Sequence, residues 1–170
     1  MDKKNNTLEC EFKINNGGES YDILEIKKDE VVTLSGNNIN FYDLNKRDKI
    51  HSISGFEPFN GNIGRKFCKA NEELLLVCGN SSLFLVDSQA YQLISKIECQ
   101  SICTLYQISN DFVLSGHDGN IKHWQCNGRD MKLYSYKNQV SSGVIYAIFK
   151  LNNIIISGDN EGILKFWTAN

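Results

Sequence analysis

The pair His117-Asp118 is the part of the chain that most resembles catalytic machinery, because an imidazole beside a carboxylate supports general acid-base chemistry. It follows a short apolar stretch and precedes Gly119, and no Ser or Cys nucleophile motif accompanies it. We therefore interpret it as a tight turn in which Asp118 bonds nearby backbone amides and Gly119 supplies a positive φ. The sequence predicts no catalytic residue and a protein that is not an enzyme.

Other chemistry-bearing residues lack the spacing that metal or cofactor sites require. His51 and His123 are isolated in strand-like patterns. The six cysteines form no C-x-x-C pair, and we predict that they are mostly buried free thiols. The sequence contains no glycine motif of a phosphate-binding loop. We interpret the adjacent carboxylates Glu72 and Glu73 as a solvated pair in a turn. We expect no metal and no cofactor.

These residues lie within a repeated hairpin pattern. Residues 112–124, FVLSGHDGNIKHW, comprise an apolar strand, a polar turn and a second strand that ends in Trp. Residues 154–167, IIISGDNEGILKFW, repeat that order. Two weaker copies lie upstream, and the Gly after the second strand recurs at spacings of 43, 37 and 42 residues. A period of about 40 residues with four short strands is typical of propeller blades.

The repeats divide the chain into four units of antiparallel strands within one all-β domain, residues 1–170. The units cover about 20–54, 65–98, 101–137 and 143–169, and a strand at 7–14 precedes them. The second strand of each unit is continuously apolar, which predicts burial on both faces. The fourth unit lacks its outer strand, so the N-terminal strand brings the total to the sixteen strands that four blades need.

The units resemble the WD-repeat (Trp-Asp) β-propeller family over roughly residues 21–169. The third unit carries Ser115-Gly116, Asp118-Gly119 and Trp124, and the fourth carries a similar set that ends in Trp167. The family's Gly-His pair before the first strand is absent. In the family that His joins Ser, Trp and Asp in a hydrogen-bonded network, of which Ser115, Trp124 and Asp118 supply parts. We therefore expect blades held mainly by apolar packing.

Four blades are fewer than the roughly seven that the resemblance implies, and open end blades expose apolar faces and unpaired edges. Three arrangements stay open at this point. The chain forms an open arc or a piece of a longer propeller, two chains close an eight-bladed ring, or one chain closes a tight four-bladed ring. The open or partial arc is the arrangement we favour, and homo-oligomerisation through end blades is the next.

Function in such scaffolds lies in loops, and one rim collects the turns between second and third strands together with the connections between units. The loop at residues 55–64, with Phe56 and Phe59 around Pro58, either caps a blade or contacts a partner. Asn38 and Ser81 belong to the same rim turns. Our candidate partner-binding residues are Tyr21, Asn37, Arg65, Lys66, Asn80, His117, Asp118, Ile145, Tyr146, Asp159 and Asn160.

We predict a non-catalytic interaction scaffold that presents this rim to protein or peptide partners. The alternative is a structural assembly unit that completes a propeller with another chain through its open end blades. A formal net charge of −2 and short basic clusters argue against nucleic acid. No apolar run reaches membrane-spanning length and the N-terminus lacks a signal-peptide pattern, so we expect no membrane partner and a cytoplasmic location, with the nucleus as the alternative.

Overall fold

The computed structural model describes residues 10–16, 18–56, 66–79, 81–99 and 101–168 of the 170-residue chain. Within these ranges the protein is all-β, with fifteen strands in four antiparallel sheets. No helix of the length and hydropathy needed to cross a bilayer occurs in the described part.

Each sheet is built from consecutive strands, and we call the sheets blades 1 to 4. Blade 1 contains β1 (Ser20–Lys27), β2 (Glu30–Ser35), β3 (Asn38–Asp43) and β4 (Asp48–Ile53). Blade 2 contains β5 (Lys66–Lys69), β6 (Leu74–Cys78), β7 (Ser82–Asp87) and β8 (Gln92–Glu98). Blade 3 contains β9 (Thr104–Ser109), β10 (Phe112–Gly116), β11 (Ile121–Asn127) and β12 (Asp130–Lys137). Blade 4 contains β13 (Ile145–Leu151), β14 (Ile154–Asp159) and β15 (Leu164–Thr168).

Acidic residues end the third strands of the first two blades in the same way. The Asp43 carboxylate accepts hydrogen bonds from the backbone N–H groups of Asn45 and Lys46, at 2.9 and 3.0 Å. Asp87 accepts from Gln89 and Ala90, at 2.8 and 2.7 Å. These Asx turns reverse the chain into the outer strand. The bonds from Lys46 and Asn45, together with the Lys46 ammonium, hold the pKa of Asp43 below its ordinary value.

The inner strands β1, β5, β9 and β13 lie side by side in that order, so the blades form a row with a hydrophobic cluster between each neighbouring pair. Val32, Leu34 and Phe41 of blade 1 pack on Leu75 and Val86 of blade 2. Two further clusters join blade 2 to blade 3 and blade 3 to blade 4. Among the described residues no comparable cluster joins blade 4 to blade 1, which is the open arc that the sequence predicts.

Phe56 belongs to the cluster between blades 1 and 2. It is buried, and its ring meets the Phe84 ring edge-on with a centroid distance of 4.8 Å. This part of the 55–64 loop therefore completes a contact between two blades. Phe59 and Pro58, which the sequence analysis placed in the same loop, lie outside the described residues.

The segment before blade 1 differs from the expected strand. Residues 10–14, the described part of the predicted strand at 7–14, form no strand and do not join blade 4. The Asn16 side-chain oxygen instead accepts hydrogen bonds from Thr33, Asn40 and Tyr42 on the outer face of blade 1. Side-chain bonding by Asn16 therefore ties this segment to blade 1. Residues 7–9 lie outside the described part.

Five of the six cysteines are buried and unpaired, as predicted, and Cys10 is exposed. Burial raises the pKa of Cys68, Cys78 and Cys126 to about 12 and that of Cys103 to about 11, because a thiolate is poorly solvated in an apolar core. These side chains stay protonated at neutral pH and act as small hydrophobic groups.

Candidate functional site

The predicted rim exists as one end of the row of blades. The inner strands start there, and the turns between second and third strands close there, since Ser20 pairs with Ser35, Thr104 with Gly116 and Ile145 with Asp159. The described candidates with solvent-accessible side chains are Tyr21, Asn37, Lys66, Asp118, Tyr146, Asp159 and Asn160. Arg65 and Asn80 lie outside the described residues.

Two of the candidates point into the protein. His117 is 3% exposed and Ile145 is fully buried, so neither presents a side chain on the rim. Ile145 packs with Leu114 and Ile148 in the cluster between blades 3 and 4. An apolar residue at the start of an inner strand is drawn into the neighbouring interface because burial there removes it from water.

His117 completes a buried polar chain that the sequence analysis did not foresee. The Trp124 indole N–H donates to the Ser115 hydroxyl oxygen at 2.7 Å, and that hydroxyl lies 2.6 Å from the His117 Nε2 atom. Blade 3 therefore has a buried polar chain in addition to the apolar packing that we expected. Its histidine comes from the end of the second strand of the same blade, where the WD-repeat resemblance gave no reason to look for it.

The turn around Gly119 has the predicted backbone but a different bonding pattern. Gly119 has a φ of 64°, and its backbone N–H donates to the Gly143 carbonyl at 2.9 Å. A Cβ on Gly119 would lie 2.5 Å from the Ser141 carbonyl oxygen, so only glycine fits. The turn is thereby fixed against the connection between blades 3 and 4.

That connection, residues 138–144, holds the blade 4 turn as well. Val144 exchanges two hydrogen bonds with Asn160, one from its N–H to Asn160 Oδ1 at 2.9 Å and one from the Asn160 N–H to its carbonyl at 3.0 Å. The Ser141 hydroxyl donates to Asp159 at 2.5 Å and the Ser142 hydroxyl to Glu161 at 2.6 Å. A Cβ on Gly143 would lie 2.0 Å from the Asn160 side-chain oxygen. The two turns and their connection form one bonded unit.

This unit carries negative charge. Asp118 and Glu161 are exposed, and the hydrogen bonds from Ser141 and from the Ile163 backbone hold the pKa of Asp159 below its ordinary value. Tyr146, with 46% of its surface exposed, follows the buried Ile145 on the same inner strand. We call Asp118, Tyr146, Asp159, Asn160 and Glu161 the acidic rim segment.

The blade 1 and blade 2 part of the rim has a different composition. The Tyr21 hydroxyl donates to Glu19 at 2.8 Å, and the Asp22 carboxylate accepts the Phe67 backbone N–H at 2.8 Å, which links β1 to β5. Lys66, next to Phe67, is exposed. The structure thus places Tyr21 and Lys66 on neighbouring inner strands and keeps them apart from the acidic rim segment.

Sequence reasoning missed Ser141, Ser142 and Glu161. Their signal is weak, because a Ser-Ser-Gly connection and a Glu in a turn are ordinary loop residues until a fold brings them together. Among the described residues no group of three or more His, Cys, Asp or Glu side chains is arranged to hold a metal ion. The acidic rim segment is therefore a binding surface candidate, with side chains positioned for hydrogen bonds and charge pairing.

Comparisons with known proteins agree with this architecture at the level of the fold. No family model matches the chain, and no curated protein matches it significantly. The computationally designed Ika4 protein is similar over 92% of this chain and 94% of that one, with a TM-score of 0.73 and 17% identity.

Larger propellers match over part of their length. The WD40 β-propeller domain of Doa1 matches 91% of this chain with a TM-score of 0.69 and 16% identity, and a chain of the mitotic checkpoint complex matches 82% with 0.66 and 15%. This chain spans 52% and 45% of those two chains. The fold is an all-β, propeller-type row of blades.

Proposed function

We propose that this chain is a degenerate WD-repeat protein that acts as a non-catalytic interaction scaffold. The observation that carries the proposal is the acidic rim segment, in which Asp118 and Glu161 are exposed on two turns bonded to the same connection and Tyr146 is exposed on the adjacent inner strand. Preorganised loops on a rigid scaffold lower the entropy cost of binding. Two of the similar solved chains support the same direction, one a WD40 domain and one a member of a multi-protein complex.

The partner class we propose is a protein or peptide with a basic segment. Asp118 and Glu161 are carboxylates on one surface, and complementary charge chiefly provides orientation and association rate. Tyr146 adds an exposed aromatic ring, the residue type that most often carries interface energy. We propose no role in nucleic-acid or membrane binding, and a reducing, cytoplasmic location fits the five unpaired buried thiols.

The test compares two triple variants of the whole chain by quantitative affinity capture from the source cells. The rim variant carries Asp118→Asn, Tyr146→Ala and Glu161→Gln. The matched control carries Asp130→Asn, Tyr134→Ala and Glu72→Gln, which are exposed residues of the same types outside the rim. Specific partners should be lost from the rim variant and retained by the control. Equal capture by both variants would refute the rim as the binding surface.

A second candidate function is assembly with another chain, and the outer face of blade 4 favours it. Phe149, Leu164 and Phe166 on that face are 53%, 64% and 65% exposed, and exposed apolar patches of this kind commonly form interfaces. Under this hypothesis the solution molar mass at micromolar concentration is twice that of one chain, and the substitution Phe166→Asp restores the monomer. A monomer under those conditions contradicts it.

A further inference from the structure

Blade 4 has one strand edge, at β15, that no other described strand pairs with. It contains three strands where the other blades contain four, and β15 is the last of them. The backbone N–H of Asp159 donates to the Ile163 carbonyl, so these two residues form a hydrogen-bonded pair. From that pair along the β14–β15 register, hydrogen-bonded and non-hydrogen-bonded pairs alternate. The backbone N–H and C=O groups of Leu164, Phe166 and Thr168 therefore point away from β14. Within the described residues no strand receives them.

A cavity of about 460 Å³ lies beside this edge, between blades 3 and 4. Leu114 and Ile121 line it from blade 3, and Ile155, Phe166 and Trp167 line it from blade 4. Its volume falls within the range of ordinary ligand sites, and its walls are mainly apolar.

The corresponding space between blades 2 and 3 is filled by the outer strands of those blades. Ile94 and Ile97 of β8 and Met131 of β12 pack in that cluster, and Leu133 of β12 lies opposite Trp124. Outer strands thus provide the apolar side chains that close the gap between neighbouring blades.

Blades 3 and 4 lack these contributions. Ile97 pairs with Leu83 in blade 2, and the matching position in blade 3 is Lys137, which pairs with Ile121. Trp167 occupies the place in blade 4 that Trp124 has in blade 3, because Trp167 pairs with Ile155 as Trp124 pairs with Val113. No described residue lies opposite Trp167 on the outer side of β15. The cavity is therefore the space that an outer strand of blade 4 would fill.

The polar atoms of the cavity point to the chemistry of its occupant. His123 and Ser135 line it, and the His123 Nδ1 atom lies 3.3 Å from the Ser135 hydroxyl. Lys137 also lines the cavity, and no described Asp or Glu does. A cation without a nearby carboxylate attracts one.

We propose that blade 4 binds an extended peptide of a partner protein by strand addition at the β15 edge. The peptide pairs with the outward backbone groups of Leu164, Phe166 and Thr168, places an apolar side chain opposite Trp167 in the cavity, and brings a carboxylate toward Lys137. Main-chain pairing supplies affinity and the cavity supplies selectivity, as in other cases of β-strand addition. This surface is separate from the acidic rim segment, so it stands or fails independently of the proposed function.

The probe is a labelled octapeptide with blocked ends, DMKLYSEK. It copies Asp130–Lys137, the strand that supplies these contacts in blade 3, with Glu at the Tyr136 position to meet the cationic side of the cavity. Two matched peptides, DMKDYSEK and DMKLYSQK, test the apolar and the acidic position separately. Fluorescence anisotropy with the full chain should give a micromolar dissociation constant for the probe. The Asp peptide should bind at least about tenfold more weakly, and the Gln peptide by a smaller factor.

The edge itself is tested with Leu164→Pro against Leu164→Ala. Both substitutions remove the same exposed side chain, but only proline removes an outward N–H. Binding should survive in the Ala variant and be lost in the Pro variant. If the Pro variant does not unfold cooperatively, probe peptides N-methylated at single positions provide the same test, and the peptides methylated at the N–H groups that face β15 should lose binding. Equal binding by both variants, or by all methylated peptides, overturns the proposal.

Other occupants give different results. If a chain lacking residues 1–9 binds the probe and the full chain does not, the chain's own N-terminus occupies the edge and the proposal fails. If self-association disappears in Leu164→Pro but persists in Leu164→Ala, a second copy is the occupant and the proposal also fails. The rim triple variant should bind the probe as the native chain does, so a failure of the rim hypothesis remains distinguishable.

Discussion

Blades 3 and 4 contain the same hairpin in two environments. In each blade a Trp of the third strand donates its indole N–H to a Ser of the second strand, Trp124 to Ser115 at 2.7 Å and Trp167 to Ser157 at 3.0 Å. Trp124 is buried between two complete blades, whereas Trp167 is partly exposed beside the cavity. The hairpin sequence determines the local bond, and the neighbouring strands determine how deeply the bond is buried.

The second strands of these blades show the same difference. Residues 113–116 of β10 are buried, but Ile154 of the equally apolar β14 is 38% exposed and its neighbours are only partly buried. Burial on both faces requires a blade on each side, and within the described chain blade 4 has a neighbour on one side only. An apolar strand is thus necessary for a buried position, and a neighbouring blade is also required.

Removal of the two indole rings gives the largest expected difference between the blades. Trp124→Ala should lower the free energy of unfolding by about 3–5 kcal/mol, because it opens a cavity in a packed core. Trp167→Ala should cost about half as much, because part of that side chain already contacts solvent. Urea denaturation monitored by circular dichroism measures both. Equal losses would mean that blade 4 is as well packed as blade 3, and the comparison would be wrong.

Removal of the two serine hydroxyls gives a smaller difference with a different cause. Ser115→Ala leaves a buried indole N–H and the buried His117 ring without their shared partner, which should cost about 1–3 kcal/mol. Ser157→Ala should cost less than about 1 kcal/mol, because water reaches the partly exposed Trp167. Both serines are buried, so each substitution to Ala leaves a similar small volume where the hydroxyl was, and this volume does not account for the difference. The denaturation midpoints of the two variants provide the measurement, and a larger loss for Ser157→Ala contradicts the explanation.

The hairpins, the four-unit organisation and the all-β fold were accessible from the sequence because each depends on local patterns. Alternating or continuous apolar residues predict strands, and Gly119 between two strands predicts its own positive φ. The preference for an open arc rested on comparing four units with the roughly seven blades that the WD-repeat resemblance implies. The strands and hairpins depend on residues that are close in the chain, and the four-unit organisation depends on a repeat whose period can be counted in the sequence.

The roles of His117, Ile145 and Asn16 were not accessible. His117 and Ile145 occupy rim positions by register, and only the packing of blade 3 against its neighbours turns both side chains inward. Asn16 follows the predicted strand at 7–14, and its amide oxygen accepts hydrogen bonds from Thr33, Asn40 and Tyr42, which are distant in sequence. Single-sequence patterns contain no signal for such tertiary hydrogen bonds.

The smallest predicted effect concerns the residue that differs between the two hairpins just before the Trp, His123 in blade 3 and Phe166 in blade 4. Burial lowers the pKa of His123 below its ordinary value of 6.5, because the imidazolium is poorly solvated among the Phe112 and Tyr134 rings. The unfolded chain therefore binds a proton at a higher pH than the folded chain does. Stability is fully present above the unfolded pKa and declines as the pH falls from there toward the folded pKa.

His123→Phe, which gives blade 3 the blade 4 residue, should remove this contribution. Between about pH 7.5 and about pH 5 the native chain should lose more stability than the variant, because the other titratable groups are common to both chains and largely cancel in the difference. Ser135→Ala is the matched control, since it removes the hydroxyl beside His123 but keeps the imidazole, and it should retain the native pH dependence. If His123→Phe retains it as well, His123 is not the group that titrates, and the two hairpins differ in their neighbouring strands alone.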